Sequence, residues 1–292
     1  MKLRVAGWQY PIERLPSWDA WLAKLDAGFA VAAARGAKLA IVPEYASMEL
    51  TALSPADTLA GQLDALQPLL PRYLDAYAEL ARRHDLVIVG GSFPERAGNA
   101  VYNRARIHAG ADAFVIDKLQ MTRFERETGG ISAGRGQTIV DLGGIKLGVA
   151  ICYDSEFPLL VRRLVDAGAE IIAVPSCTDS DAGYHRVRVA CQARALESQC
   201  YVVQVPTVGD APWSLTVDAN RGAAGVYAPP DRGLPDDGVV AIGTYNQPGW
   251  LVADLDLDAL AEVRRDGNVF NHRDWSLPGH VDGTVTIAKR SS

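Results

Sequence analysis

Short apolar runs recur along the chain at Leu3–Trp8, Leu39–Val42, Leu86–Val89, Ile145–Cys152, Glu170–Val174 and Tyr201–Val205. Each has the length of a strand, is rich in Val and Ile and mostly lacks polar alternation, which is the pattern of strands covered on both faces. Helix-length segments separate them: Ser17–Arg35 closed by Gly36, Leu69–His84, Pro158–Ala167 closed by Gly168, and Arg186–Ser198. Gly36 and Gly168 fit the left-handed position that ends a helix, and Ser17 fits an N-cap. Two strands around a Gly-containing turn are expected over Asn103–Asp117, a β-hairpin. The stretch from Gly209 to Pro248 is loop-rich and precedes another strand at Gly249–Asp254. Nothing breaks the composition into two parts, so a single domain over residues 1–292 is expected. Helices outside and strand layers inside suggest an α/β fold built as a four-layer α-β-β-α sandwich, although periodicity by itself gives only the alternation.

The composition narrows the function. Of 292 residues, 48% are hydrophobic and 22% charged, and the formal net charge is −6. These values describe a folded globular chain and exclude a disordered, collagenous or coiled-coil one. A mildly acidic chain with no Lys/Arg run argues against a nucleic-acid surface or a polybasic membrane patch, and small neutral or cationic ligands are easier to accommodate. No apolar run approaches the roughly 20 residues that span a bilayer, and the N-terminus has no signal-like apolar core. Cys152, Cys177, Cys191 and Cys200 are spaced by 25, 14 and 9 residues with no C-x-x-C pair. Reduced thiols in a cytoplasmic protein are therefore expected, rather than a disulfide framework or a zinc site.

Three strand-like runs end in a residue able to do chemistry: Pro43-Glu44, Asp117-Lys118 and Gly148-Val149-Ala150-Ile151-Cys152-Tyr153-Asp154. A thiol is nucleophilic only as thiolate, so a reactive cysteine needs a base or a positive neighbour, and Glu44 and Lys118 are the candidates. The same three stretches, in this order, resemble the glutamate, lysine and cysteine motifs of the nitrilase superfamily of carbon-nitrogen hydrolases. Val5-Ala6-Gly7-Trp8-Gln9, Pro175-Ser176 and the run Ala193–Val203 extend the resemblance across residues 3 to 275.

The resemblance implies a Glu-Lys-Cys triad without metal or organic cofactor. Cys152 attacks an amide or nitrile carbon, Glu44 is the base, and Lys118 with the backbone N–H of Tyr153 stabilises the oxyanion. It also implies a small-molecule amide as substrate and a homodimer or larger homo-oligomer. Relatives often carry a second glutamate about seven residues before a turn glycine; counting back from Gly134 gives Glu127, with Glu125 as the alternative. Where many amidases and carbamoylases of the family read Cys-Tyr-Asp-x-Arg-Phe-Pro, this chain has Glu156 in place of the arginine and Gln120 where a histidine often follows the lysine motif. If Glu156 faces the pocket, it favours a neutral or amine-bearing substrate over a carboxylate. Amide hydrolysis is preferred; nitrile or N-carbamoyl hydrolysis, N-acyl transfer and a catalytically silent metabolite-binding scaffold remain alternatives.

Other residues have plainer readings. Cys191 and Cys200 suit the core, whereas Cys177, just after a strand, is a candidate pocket residue. His185 stands in no protease signature, and Asp179 and Asp181 read as a turn rather than a metal loop. Trp18 and Trp21 share a helix face, in the core or at an oligomer contact, and Arg194 and Glu197 are spaced for a local pair.

Overall fold

A computed structural model describes residues 1–276 together with 283, 285 and 287; the C-terminal end of the expected 1–292 domain lies outside the described residues. The strands in chain order are β1 (Lys2–Pro11), β2 (Leu39–Ile41), β3 (Val87–Ala97), β4 (Ala100–Ala109), β5 (Asp112–Asp117), β6 (Ile131–Ser132), β7 (Ile139–Asp141), β8 (Lys146–Val149), β9 (Ile171–Ser176), β10 (Tyr201–Asp210), β11 (Ala219–Asn220), β12 (Gly225–Tyr227), β13 (Val239–Ile242) and β14 (Gly249–Asp256). The helices are α1 (Trp18–Ala34), α2 (Leu59–Leu66), α3 (Leu70–His84), α4 (Arg123–Glu127), α5 (Pro158–Asp166), α6 (Asp181–Ser198) and α7 (Leu257–Asp266).

The strands form two halves joined at one seam. In the first the order is β5-β4-β3-β2-β1, with β14 antiparallel on the other edge of β1. In the second it runs β10-β9-β8-β7, with β12 and β13 beyond β10. The seam is the end of β1, where Tyr10 and Pro11 pair in parallel with Thr207 and Val208 of β10. Period-two alternation divides the apolar side chains of the first half. Val5, Leu39, Ile41 and Val89 join the core shared with the second half, whereas Ala6, Trp8, Ala40, Val42 and Ile88 pack with Trp21, Leu25 and Phe29 of α1 and Tyr73, Tyr77 and Leu80 of α3. Val161 and Leu164 of α5 and Val187, Cys191 and Ala195 of α6 bury against the second half. The result is the expected α-β-β-α layering.

Most of the expected elements are present. Ser17 caps α1 by accepting from the Ala20 N–H at 3.1 Å, and Gly36 and Gly168 take positive φ of 77° and 107° just beyond their helices. The hairpin forms as β4 and β5, turning at Gly110. Three differences have physical causes. Strand β3 continues beyond Val89 through a bulge between Gly90 and Phe93. Helix α6 begins at Asp181, five residues before the expected start, because the Ser180 side chain caps it by accepting from the Gly183 N–H. Helix α7 was not anticipated, although Asp256 caps it and Leu257, Leu260 and Val263 line one buried face.

Helix α1 sits close to the sheet at Gly28, where an added Cβ would lie 2.1 Å from the Trp8 ring, itself stacked on Trp250 at 4.7 Å. Gly28→Ala is expected to destabilise the protein by about 1–3 kcal/mol through overpacking, read as a lower denaturant midpoint with unchanged slope. An unchanged midpoint would mean that the aromatic cluster yields without cost.

Candidate active site

Glu44, Lys118 and Cys152 sit at the ends of three different strands and converge on one cavity of about 350 Å³. Glu44 lies three residues past the end of β2. The chain there turns sharply, with Tyr45 in left-handed conformation at φ 56° and its N–H donating to Ser92 Oγ at 3.0 Å. The Glu44 carbonyl accepts from Thr207 Oγ1 at 2.9 Å, which ties this turn to β10. Lys118 directly follows β5; its N–H donates to the Asn103 carbonyl and its own carbonyl accepts from the Gly134 N–H, each at 2.9 Å. Cys152 opens a 3₁₀ turn just past β8 and has φ 48°, a conformation that costs a non-glycine residue on the order of 1–3 kcal/mol and that clusters at functional sites.

The polar groups interlock. Lys118 Nζ donates to Glu44 Oε1 at 2.8 Å and to both oxygens of Glu125 at 2.8 and 2.6 Å. Asn103 Nδ2 donates to Glu44 Oε1 at 2.8 Å, and the Cys177 N–H donates to Glu44 Oε2 at 3.0 Å. Glu125 also accepts from the Tyr45 hydroxyl at 2.8 Å and from the Thr122 N–H at 2.9 Å. The Cys152 thiol lies 3.7 Å from the Cys177 carbonyl, and the Cys177 thiol 3.1 Å from Asn220 Oδ1.

This packing separates the two glutamates chemically. Burial lifts the Glu44 carboxyl above its ordinary value, with a further push from the Glu125 charge, and Lys118 offsets only part of it. Burial acts on Glu125 in the same sense, but the Lys118 ammonium and the Thr122 and Tyr45 donors outweigh it and hold this carboxyl low. Burial works against the Lys118 charge, yet Glu44 and Glu125 keep its pKa above the usual lysine value. The Cys152 thiol is pushed well up, by burial first and then by Glu44. A protonated thiol beside a carboxylate of raised pKa is an arrangement suited to proton transfer on attack, with Glu125 as a fixed negative charge.

Of Glu125 and Glu127, the glutamate that reaches Lys118 is Glu125, the alternative, and the expected placement of Glu127 in the cluster is corrected. Glu127 lies on the outward face of α4, its side chain 57% exposed and paired with Arg123 at 2.8 Å. Two residues along a helix is about 200° of rotation, so only one of the two can face Lys118. The sequence carried a usable signal: Thr122-Arg123-Phe124-Glu125 is a capping box, with the Glu125 N–H bonded to Thr122 Oγ1 and the Thr122 N–H to the Glu125 carboxylate. Tyr153, Glu156 and Cys177 all line the cavity as expected, with Glu156 Oε1 3.7 Å from Arg186 Nε. Asn103, whose Nδ2 donates to both Glu44 and Glu125, and Tyr45, whose hydroxyl donates to Glu125, were not foreseen. His185 does not line this cavity, whereas Asp179 does.

A model of the carbon-nitrogen hydrolase family matches residues 4–265. The chain belongs to the carbon-nitrogen hydrolase family. Like other carbon-nitrogen hydrolases, it is an enzyme of non-peptide C–N bonds. The probable hydrolase YhcX of Bacillus subtilis is 31% identical over 274 residues, 93% of this chain but 53% of that protein, so the chain spans about half of its length. Deaminated glutathione amidase of Homo sapiens is 32% identical over 265 residues, covering 86% of this chain and 76% of the relative. Among solved structures, Saccharomyces cerevisiae Nit3, of branch 10 of the nitrilase superfamily, superposes with a TM-score of 0.70 at 21% identity over 90% of this chain and 93% of its own. An amidase from Nesterenkonia gives 0.66 at 23% identity over 94% of this chain and 96% of its own. Both structures support the α-β-β-α sandwich.

Removing the charge of Glu125 in this hydrolase leaves Lys118 with Glu44 alone. Glu125→Gln is expected to lower kcat/KM at least tenfold, about 1.4 kcal/mol or more of transition-state stabilisation, and Glu127→Gln to change it less than twofold. The reverse ranking in steady-state kinetics would restore Glu127 as the second glutamate.

Proposed function

We propose that the protein is a cofactor-free thiol amidohydrolase that cleaves a small non-peptide amide through a thioester on Cys152, with the chain acting as one hydrolase domain over residues 1–292. The observation that carries this reading is the convergence of buried Cys152, Glu44 and Lys118 on one cavity, with Lys118 Nζ 2.8 Å from Glu44 Oε1. Burial raises the pKa of both the Cys152 thiol and the Glu44 carboxyl, which suits proton transfer between them. Glu44 takes the thiol proton as Sγ bonds to the amide carbon. The oxyanion that forms is held by Lys118 and the Tyr153 N–H. Collapse breaks the C–N bond, and the proton on Glu44 leaves with the amine or ammonia. Water then adds to the thioester, giving a proton to Glu44; collapse breaks the C–S bond, the sulfur regains a proton, and the carboxylic acid departs.

The names of the relatives, deaminated glutathione amidase and the chloroplastic omega-amidase of Arabidopsis thaliana, support amides over nitriles. The resemblance also brings a homodimer or larger assembly and a cytoplasmic location into the proposal. Among the described residues, no helix is long and apolar enough to cross a membrane.

Ammonia or amine release from a panel of small amides, ω-amides, carbamoyl compounds and nitriles tests the reading. One amide class is expected to turn over, and Cys152→Ala to remove that turnover by roughly three orders of magnitude or more. Turnover confined to nitriles would replace it with a nitrilase, and undiminished turnover in the variant would remove Cys152 from the mechanism.

Charge at the mouth bears on substrate choice. Outside the buried cluster, the cavity is lined by Glu156, Asp179 and Asp218 against Arg123 and Arg186, so negative charge is in excess. Arg123 is further engaged by Glu127, and Arg186 lies near Glu156. Of matched amides carrying an ammonium, no charge or a carboxylate, the carboxylate is expected to have the lowest kcat/KM, with the gap narrowing as salt is raised. Equal or better use of the carboxylate would overturn this preference.

A further inference from the structure

The turn that carries Cys152 and the loop that carries Lys118 are separate segments, and one side chain joins them. Asp154, two residues after the nucleophile, accepts from the Gln120 N–H at 2.6 Å and from the Leu119 N–H at 3.1 Å to each oxygen. It is buried, and among the described residues no lysine, arginine or histidine pairs with it. Its own N–H is bonded to the Ile151 carbonyl at 3.0 Å, and the adjacent Ser155 hydroxyl donates to the Cys152 carbonyl at 2.6 Å, so the carboxylate is mounted on a fixed turn. A carboxylate buried on backbone amides alone costs desolvation that a surface carboxylate avoids, and an apolar residue would fill the place more cheaply. What it contributes is a fixed span between two catalytic segments.

We propose that Asp154 is a positioning residue, holding the main chain just after Lys118 against the Cys152 turn so that the ammonium and the thiol keep their relative placement through the reaction. The inference rests on the thiol-amidohydrolase reading given above. The side-chain bonds of Lys118 to Glu44 and Glu125 fix the ammonium with respect to those carboxylates. Asp154 instead fixes the backbone of the lysine loop with respect to the nucleophile. Burial lifts the Asp154 carboxyl to about 7, against the pull of the Gln120 and Leu119 amides and the Lys118 charge, and Glu44 adds to the rise. Protonation withdraws acceptor strength from the two amides. The clamp is therefore firm above about pH 7 and slackens as the pH falls below it, while Glu44, Lys118, Glu125 and Cys152 are the other ionisable groups of the cluster.

Asp154→Asn places an amide N–H₂ where an acceptor faced the Leu119 N–H. It is expected to lower kcat at least tenfold with KM changed less than threefold, and to remove an ionisation near pH 7 from the kcat profile. Asp154→Glu, which keeps the acceptors, is expected to recover part of the loss and the ionisation. Wild-type kcat and pH profile in Asp154→Asn, or a rise confined to KM, would overturn the proposal. If Asp154→Asn does not fold, alkylation of Cys152 in the wild-type protein, mapped by peptide mass, takes its place. A rate inflection near pH 7 is expected, and a profile without one would overturn the proposal. Cys152→Ala separates the two readings: if it stays active, the thiol mechanism falls, whereas if it is inactive and Asp154→Asn matches wild type, only the positioning role falls.

Discussion

One ammonium shared by two carboxylates in a dry interior is the constraint on which this site depends. Lys118, Glu44 and Glu125 are all buried, and each comes from a different part of the chain: the end of β5, the turn after β2, and α4. Taking three charges out of water costs several kcal/mol apiece, which Coulomb attraction recovers only with close geometry and satisfied hydrogen bonds. Tyr45, Asn103, Thr122 and the Cys177 N–H supply those bonds. The three segments are thus not free to drift, since separation by even a few ångströms would leave a charge buried without its partner. The net charge of the trio is −1, and its donors fall unevenly, so one carboxyl stays ionised and the other is left with a raised proton affinity.

That unevenness gives the cluster its chemistry. Glu125 collects the bidentate lysine contact together with neutral donors from Tyr45, Asn103 and Thr122 and behaves as a fixed anion. Glu44 shares the same lysine through Oε1 but turns Oε2 toward the N–H of Cys177, whose carbonyl also accepts from the Cys152 thiol. Left-handed backbone at Tyr45 and at Cys152 is the conformational side of the same design: both turns reverse the chain just beyond a strand and deliver the side chain into the cavity. The strands anchor these turns through ladder bonds, which is why strain at single residues persists.

The fold was largely legible because buried strands and capped helices leave local signatures. Val and Ile runs marked β1, β2, β8, β9 and β10, and Gly36 and Gly168 marked helix ends. Ser180 as the cap of α6 and Asp256 as the cap of α7 show the limit, since a cap is convincing only once the apolar face behind it is recognised. The site was legible as far as its three chemically distinctive residues stand at strand ends. Asn103 was hidden because an inward-facing asparagine in a hairpin strand is indistinguishable by sequence from an outward-facing one until the pairing register is known. Spacing to a distant glycine points to Glu127, whereas the structure turns Glu125 toward Lys118: α4 is one short turn, and the capping box directs its third residue inward.

The division between floor and mouth explains why reaction class reads more easily than substrate. The floor is made of strand ends and buried charge, where each residue type is dictated by chemistry and by the cost of leaving a charge unpaired. The mouth is made of α4, the start of α6 and the loop after β10, where Arg123, Arg186, Asp179 and Asp218 sit at the edge of solvent and little in the fold requires any one of them. Surface charges of this kind contribute little to stability. Their positions are therefore free to follow the substrate, and the same freedom removes the local pattern by which a sequence would announce it. A rigid, buried floor beneath a mouth under weak structural constraint lets the buried chemistry stay fixed while the choice of substrate changes.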